Sequence, residues 1–154
     1  MIVRVDEIDP EGTRFTGEEP ASVLGLDAEP DLRCLGGVRY DLIARLGAGE
    51  LIVRGRLGLA VSFRCSRCAE WFRGEVNEPG FECVREAPPG TETVDLTPDL
   101  REATLLAFPS HPVCRPACRG LCPQCGANWN RERCDCKPPA DSRWGALDEW
   151  QPRR

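Results

Sequence analysis

Cysteine is the residue that most constrains what this chain can fold into. Ten of its 154 residues are cysteines. Eight fall in two tracts: Cys65-x2-Cys68, and Cys114-x3-Cys118-x3-Cys122-Pro-Gln-Cys125-Gly-x7-Cys134-Asp-Cys136. So many thiols build either a disulfide framework or a metal site, and the redox compartment decides which. Met1-Ile-Val-Arg-Val-Asp-Glu7 carries charges where a secretory leader would be apolar. No window approaches the ~18 apolar residues that a bilayer-spanning helix needs. The expected compartment is therefore the cytoplasm, with reduced thiols, no membrane contact, and the cysteines read as metal ligands.

Zinc takes four ligands in tetrahedral geometry, and two cysteines at Cys-x-x-Cys spacing can turn both sulfurs toward one ion. Cys122-Pro-Gln-Cys125-Gly126 is the strongest local signal. Its proline fixes the turn, and Gly126 can take the positive φ that lets backbone amides fold over a metal-bound sulfur. One ion would use four of the six clustered cysteines and leave two, and Cys65 and Cys68 leave two more. The expectation is one or two zinc ions: a local, ribbon-like site of Cys122, Cys125, Cys134 and Cys136, and a second of Cys65, Cys68, Cys114 and Cys118. Cys114 or Cys118 could replace either member of Cys134-Asp-Cys136. His111, the single histidine, could substitute for a sulfur, though between prolines it reads as a solvated loop residue. Cys34 and Cys83 have no partner at ligand spacing and read as plain thiols. All-sulfur sites are closed, so the metal's expected role is structural.

The rest of the chain can bury an ordinary core. Ile2 to Val5 could start an edge strand, and Pro10, Gly12, Gly17 and Pro20 punctuate the next stretch as loop. From Val38 to Leu46 apolar residues alternate with polar ones, the period of a half-buried strand. Leu51, Val53, Leu57, Leu59, Val61, Phe63 and Cys65 continue on one parity, against Arg54, Arg56, Ser62 and Arg64 on the other. That is a long strand with one wet, basic face, and Gly55 and Gly58 mark a bend or bulge in it. Trp71 to Val84 reads as a less regular return strand, and Glu86 to Thr93 as a surface loop. Thr97-Pro-Asp99 opens a helix over 97–108, with Thr97 as N-cap and Leu100, Ala103, Leu106 and Ala107 on its apolar side. Asp141 to Trp150 reads as a short docked helix. The expected fold is α+β: an antiparallel meander with a covering helix in residues 1–109, then a zinc-ribbon-like module with its tail helix in 110–154.

Charge and residue types narrow the function. The net charge of −5 argues against a protein that coats nucleic acid non-specifically, but the charge is uneven. Residues 1–109 carry 12 basic and 20 acidic side chains, and residues 110–154 carry 8 and 5. One histidine leaves no His-based metal centre, no glycine-rich phosphate loop appears, and no βαβ pattern accompanies the Cys-x-x-Cys pairs. The chain therefore reads as no enzyme, with no small-molecule substrate evident. Arg115, Arg119, Arg131, Arg133 and Lys137 interleave with the cysteines, and Trp129 could stack on a base. Equally, these cations could be only a solvated surface and Trp129 a cover for the metal. Arg54, Arg56 and Arg64 form a second, weaker basic patch.

Leu105-Leu-Ala-Phe-Pro109, Val113-Cys114, Cys118-Arg-Gly-Leu-Cys-Pro-Gln-Cys-Gly-Ala-Asn-Trp-Asn130, Cys134-Asp-Cys136 and Asp141-Ser-Arg143 to Leu147, together with Cys65-Ser-Arg-Cys68 before Trp71-Phe72, resemble the bacterial YceD-like family over about residues 38–150. The resemblance is specific at Arg119-Gly-Leu-Cys-Pro-Gln-Cys-Gly126 and generic in the strands. Members usually have lysine at the place of Arg119, leucine at that of Trp129, and proline at that of Ser142, and no departure touches an expected ligand. The resemblance implies a role in accumulation of large-subunit (23S) ribosomal RNA, in a family whose genes often lie beside that of a small ribosomal protein of the large subunit. It implies no catalytic residues. The expected partners are ribosomal RNA or a large-subunit ribosomal or assembly protein. The rival is a protein-interaction adaptor whose zinc sites build a docking surface without touching RNA.

Overall fold

The fold is that of a computed structural model, which describes residues 1–137. The tail helix expected over Asp141 to Trp150 lies outside the described residues. In chain order come β1 (Ile2–Arg4), β2 (Thr13–Glu19), β3 (Leu32–Cys34), β4 (Val38–Gly47), β5 (Glu50–Arg64), β6 (Trp71–Glu86), β7 (Thr93–Asp95) and the helix α1 (Thr97–Leu106). β4, β5 and β6 form the expected antiparallel meander. β5 is its axis, with β6 along one edge and, along the other, β4 beside residues 50–58 and β3 beside 61–63. β2 pairs outside β4, and β1 pairs with β7 as a separate two-stranded ribbon. Among the described residues the architecture is mostly antiparallel sheet with one α-helix.

The alternation in β5 has the physical result it implies. Leu51, Val53, Leu57, Leu59, Val61 and Phe63 are buried on one face, in one core with Val3 of β1, Leu24 of a 3-10 turn, Leu96 just before α1 and Leu100 of α1. Each such aliphatic side chain contributes about 1.5–3 kcal/mol by leaving water. β6 hides its own alternation. Between the pairs Gly55–Phe81 and Leu57–Glu78, Arg56 alone faces both Pro79 and Gly80. This bulge moves the core-facing positions from Phe72 and Val76 to Phe81 and Cys83, from even numbers to odd, and Pro79 lacks the N–H that a regular ladder would use. Of the two glycines expected at a bend, Gly55 marks it and Gly58 sits in regular pairing. A Cβ at Gly55 would lie 2.1 Å from the Asp41 carbonyl oxygen and 2.8 Å from Leu42 Cα, so glycine lets β4 approach.

Two expectations about α1 are corrected. Thr97 is the first helical residue and Leu96 the N-cap, without a side-chain cap. Asp95 supplies the polar partner instead, its Oδ1 accepting from the Thr97 N–H at 2.9 Å. Leu106 is 78% exposed, and the buried positions are Leu100 and Thr104. At 100° per residue the stripe that starts at Leu100 runs through 103, 104 and 107, and 106 falls outside it, about 110° from its centre.

The outer face of the sheet is no cationic patch at Arg54, Arg56 and Arg64. Arg54 pairs with Glu82 at 2.9 Å, Arg56 with Asp41 at 2.7 Å and Arg64 with Asp31 at 3.2 Å. Arg14 also reaches Asp41 at 2.7 Å. Hydrogen bonds from Arg14 and Arg56 hold the Asp41 carboxyl down to about 2. The neutralising carboxylates come from other strands, where single-strand periodicity does not place them.

Candidate metal centres

β5 ends at Arg64 and β6 begins at Trp71, so Cys65-Ser-Arg-Cys68 forms the turn of the long hairpin. The Cys65 N–H donates to the Glu70 carbonyl at 2.9 Å and the Ala69 N–H to the Cys65 carbonyl at 2.9 Å, with Ala69 at a φ of 58°. The C-terminal segment docks on this tip through backbone groups. Ser66 N–H donates to Pro112 O at 2.8 Å and Leu121 N–H to Arg67 O at 3.1 Å. The Arg67 guanidinium donates to the carbonyls of Pro116 and Cys118, each at 3.1 Å.

Cys65 Sγ then lies 3.9 Å from Cys118 Sγ, and Cys68 Sγ 3.8 Å from Cys114 Sγ. All four sulfurs lie within 4.8 Å of one another. A tetrahedral ion with metal–sulfur bonds of ~2.3 Å sets its sulfurs ~3.8 Å apart, whereas a disulfide needs ~2.05 Å. Cys65, Cys68 and Cys118 are buried, with Phe72, Val113 and Cys114 packed against them. Burial opposes ionisation of Cys65, but the N–H groups of Cys114, Cys68 and Arg67 outweigh it and bring the thiol to about 6. Burial, and proton sharing with Cys118, Cys65 and Cys68, push Cys114 up to about 12. Four neighbouring thiols cannot all ionise unless a cation compensates them, and a divalent metal does so by displacing their protons.

The second group is local. Leu121 and Asn128 form an antiparallel bridge. Inside it the Cys122 N–H donates to Ala127 O at 2.8 Å, and the Gly126 N–H to Cys122 O at 2.9 Å, with Gly126 at a φ of 75°. This repeats the backbone of the first knuckle, with glycine where the first has Ala69. Cys122, Cys125, Cys134 and Cys136 also bring their sulfurs within 4.8 Å of one another. The backbone N–H groups of Cys125 and Gln124 hold Cys122 at about 6. Proton sharing with Cys125, then burial, push Cys136 to about 12. Cys122 is buried and Cys134 half-buried, while Cys125 and Cys136 are exposed. Each group of four could hold one metal ion.

His111 is exposed and outside both groups. Cys34 and Cys83 pack on the sheet core. Burial raises both thiols, Cys83 to about 11. Trp129 is half-buried and donates its indole N–H to Cys134 Sγ at 3.2 Å. The Arg115 guanidinium donates to Asn130 Oδ1 at 2.9 Å, and Arg131 pairs with Glu70 at 3.0 Å. Arg119, Arg133 and Lys137 are exposed.

Four residues that shape these centres carry no motif of their own: Arg67, Glu70, Asn128 and Asn130. Asn130 Nδ2 donates to Cys118 Sγ at 3.4 Å and to Asn128 Oδ1 at 2.8 Å, and its Oδ1 also accepts the Arg119 N–H at 3.0 Å. Asn130 lies between two cysteines of the second group yet touches a sulfur of the first. The one signal for it in the sequence is a pair of short amides, Asn-Trp-Asn, inside a cysteine-rich loop.

Residues 53–149 match the family model described as large ribosomal RNA subunit accumulation protein YceD. An uncharacterised protein of Mycobacterium tuberculosis, and another of Mycobacterium bovis, are each 33% identical over 129 residues, covering 73% of this chain and 62% of their own length. A chloroplastic large ribosomal RNA subunit accumulation protein YCED homolog 1 of Arabidopsis thaliana is 34% identical over 61 residues, covering 39% of this chain and 19% of its own. The chain thus spans less than two thirds of the mycobacterial relatives it matches. No solved structure matches. Among the described residues no helix is long and apolar enough to cross a membrane.

Proposed function

The chain belongs to the YceD family, described as large ribosomal RNA subunit accumulation proteins, and from that premise we propose that it is a non-enzymatic, cytoplasmic zinc protein. It supports synthesis, processing or stability of 23S ribosomal RNA in large-subunit biogenesis, by binding RNA or an assembly partner. The carrying observation is that two groups of four thiols each lie close enough to share one ion, the first joining a positively charged segment to the tip of an acidic sheet and the second lying within that segment. Cys65, Cys68, Cys114 and Cys118 hold one zinc ion, and Cys122, Cys125, Cys134 and Cys136 the other. The second forms a ribbon-like site around the Leu121–Asn128 bridge. The chain is then a sheet body, residues 1–109, and a zinc module, residues 110–154, with the first ion as their joint.

Zinc builds and orients the module, and Arg115, Arg119, Arg131, Arg133 and Lys137 with Trp129 present it to RNA. Trp129 supports the adaptor reading as well, since its indole N–H is already engaged by Cys134 and Arg131 is engaged by Glu70. Metal analysis of the purified chain should return two zinc ions. Affinity for ribosomal RNA should fall as salt rises, with a slope near −0.7 per phosphate for single strands. Salt-independent affinity, or affinity unchanged when Arg119, Arg131 and Arg133 are replaced together, overturns direct RNA contact and leaves the adaptor. Crosslinking in cells then names the partner.

A further inference from the structure

Resting on the RNA reading above, we propose a second RNA-contact surface on the sheet itself, made by Arg33, Trp71 and Arg73 beside the hairpin tip, which takes single-stranded RNA. Strand pairing puts these residues together. Arg33 of β3 faces Ser62 of β5, which faces Arg73 of β6, so one row across the outer face reads Arg33, Ser62, Arg73. Trp71 stands in the neighbouring row, opposite Arg64. At ~4.8 Å between strands, the two outer arginines start ~10 Å apart with a small side chain between them. Their side chains can engage successive phosphates of one strand.

Charge and an aromatic together single out this corner. Elsewhere on the outer face Arg14, Arg39, Arg54, Arg56 and Arg64 are each spent on a carboxylate, and Arg45, also without an ion pair among the described residues, stands at the other end of the sheet beside Ile43 and Ile52. Among the described residues Arg33 and Arg73 have no carboxylate within ion-pair distance. The acids that border them are engaged by other arginines: Asp31 by Arg64, Glu75 by Arg39 and Glu70 by Arg131. A local surplus of positive charge remains on a body that is acidic overall.

An exposed aromatic completes the surface. Trp71 is 39% exposed, and the Arg33 guanidinium lies over its ring, 4.5 Å from the ring centroid. A guanidinium stacked on an indole is a flat, cationic platform on which a base of any sequence can lie. Stacking requires an unpaired base, which selects single-stranded over duplex RNA. The surface also continues the module's cations, because Trp71 follows Glu70, which binds both Arg131 and Asn128. One strand could leave the module at Arg131 and cross onto the sheet at Trp71.

The test uses the full chain with its zinc content verified, a labelled single-stranded oligouridylate, and a duplex of equal length. Trp71→Ala should weaken oligouridylate binding roughly five- to 100-fold, and Trp71→Phe, which keeps a stacking face, should retain most of it. Arg33→Glu with Arg73→Glu should weaken it at least tenfold and flatten the salt slope by about 1.4, two single-strand phosphates. Duplex binding should be weaker and insensitive to Trp71. Ultraviolet crosslinking should place uridine on the peptide that contains Trp71. If oligouridylate binding responds to Arg119, Arg131 and Arg133 but not to Arg33, Trp71 and Arg73, this surface is overturned while the module reading stands. If no variant matters because the chain binds no RNA, both fall. Retention of an acidic protein, lost in the Arg33 and Arg73 variant while RNA affinity is unchanged, assigns the surface to protein and overturns the RNA inference.

Discussion

The two cysteine groups share a backbone motif and differ in everything around it. The first draws Cys65 and Cys68 from a hairpin turn and Cys114 and Cys118 from a segment about 50 residues later, and three of its four thiols are buried. The second draws all four from residues 122–136 and leaves Cys125 and Cys136 exposed. One motif can thus serve as a joint between parts of a chain or as a staple within one part. The surrounding contacts, more than the ligands, decide which.

Removing one ligand from each group should show this difference most strongly. Cys68→Ser should cost a large share of the ~10–16 kcal/mol that a structural zinc site supplies. Hydrogen exchange should then accelerate at both 64–71 and 112–121, as the module comes off the tip. Cys136→Ser should confine the acceleration to 121–137. Equal disturbance of the hairpin tip by both variants would break the distinction between joint and staple.

Acid should separate the module from the sheet. Metal binding requires thiolates, so protons compete for the sulfurs, and occupancy falls steeply as pH drops. The sheet's own acid-sensitive contact is Asp41, which Arg14 and Arg56 hold at about 2. A carboxyl lowered in the folded state contributes stability above its ordinary value, and that contribution is lost only as pH falls toward 2. Amide signals of 112–137 should therefore collapse at a higher pH than those of β2 to β6, as a pH series of spectra would show.

The smallest effect compares the two knuckles directly. Ala69 bears a φ of 58° that disfavours a side chain, while Gly126 meets the same need without one. Ala69→Gly should tighten the first centre by about 0.5–1 kcal/mol, and Gly126→Ala should loosen the second by about 1 kcal/mol. No neighbouring atom lies within 4 Å of a Cβ at Gly126, so the second change isolates backbone conformation. Chelator competition measures both, and a shift of the same sign in both would contradict the shared geometry.

Sequence order carried the strong periodicities and left out what neighbours decide. β5 was legible because both of its faces are uniform. β6 was blurred because the bulge at Pro79 and Gly80 reverses its parity halfway. β2 was missed because an edge strand with one large apolar residue, Phe15, has no period to show. The two sets of four cysteines followed from spacing and counting. The ion pairs that cancel Arg54, Arg56 and Arg64, and the reach of Asn130 to Cys118, depend on tertiary placement, which no local pattern encodes.

Separation along the chain also implies an order of events in time. Cys68 and Cys114 stand 46 positions apart, whereas the widest internal gap of the second group is the short stretch from Cys125 to Cys134. In a flexible chain, closing the longer loop costs about 1.4 kcal/mol more, close to tenfold in affinity. An ion taken up by the staple would need only its own residues, while one taken up by the joint would need the β5–β6 hairpin to hold Cys65 and Cys68 in place. Metal entering the first centre would then report that the sheet has folded.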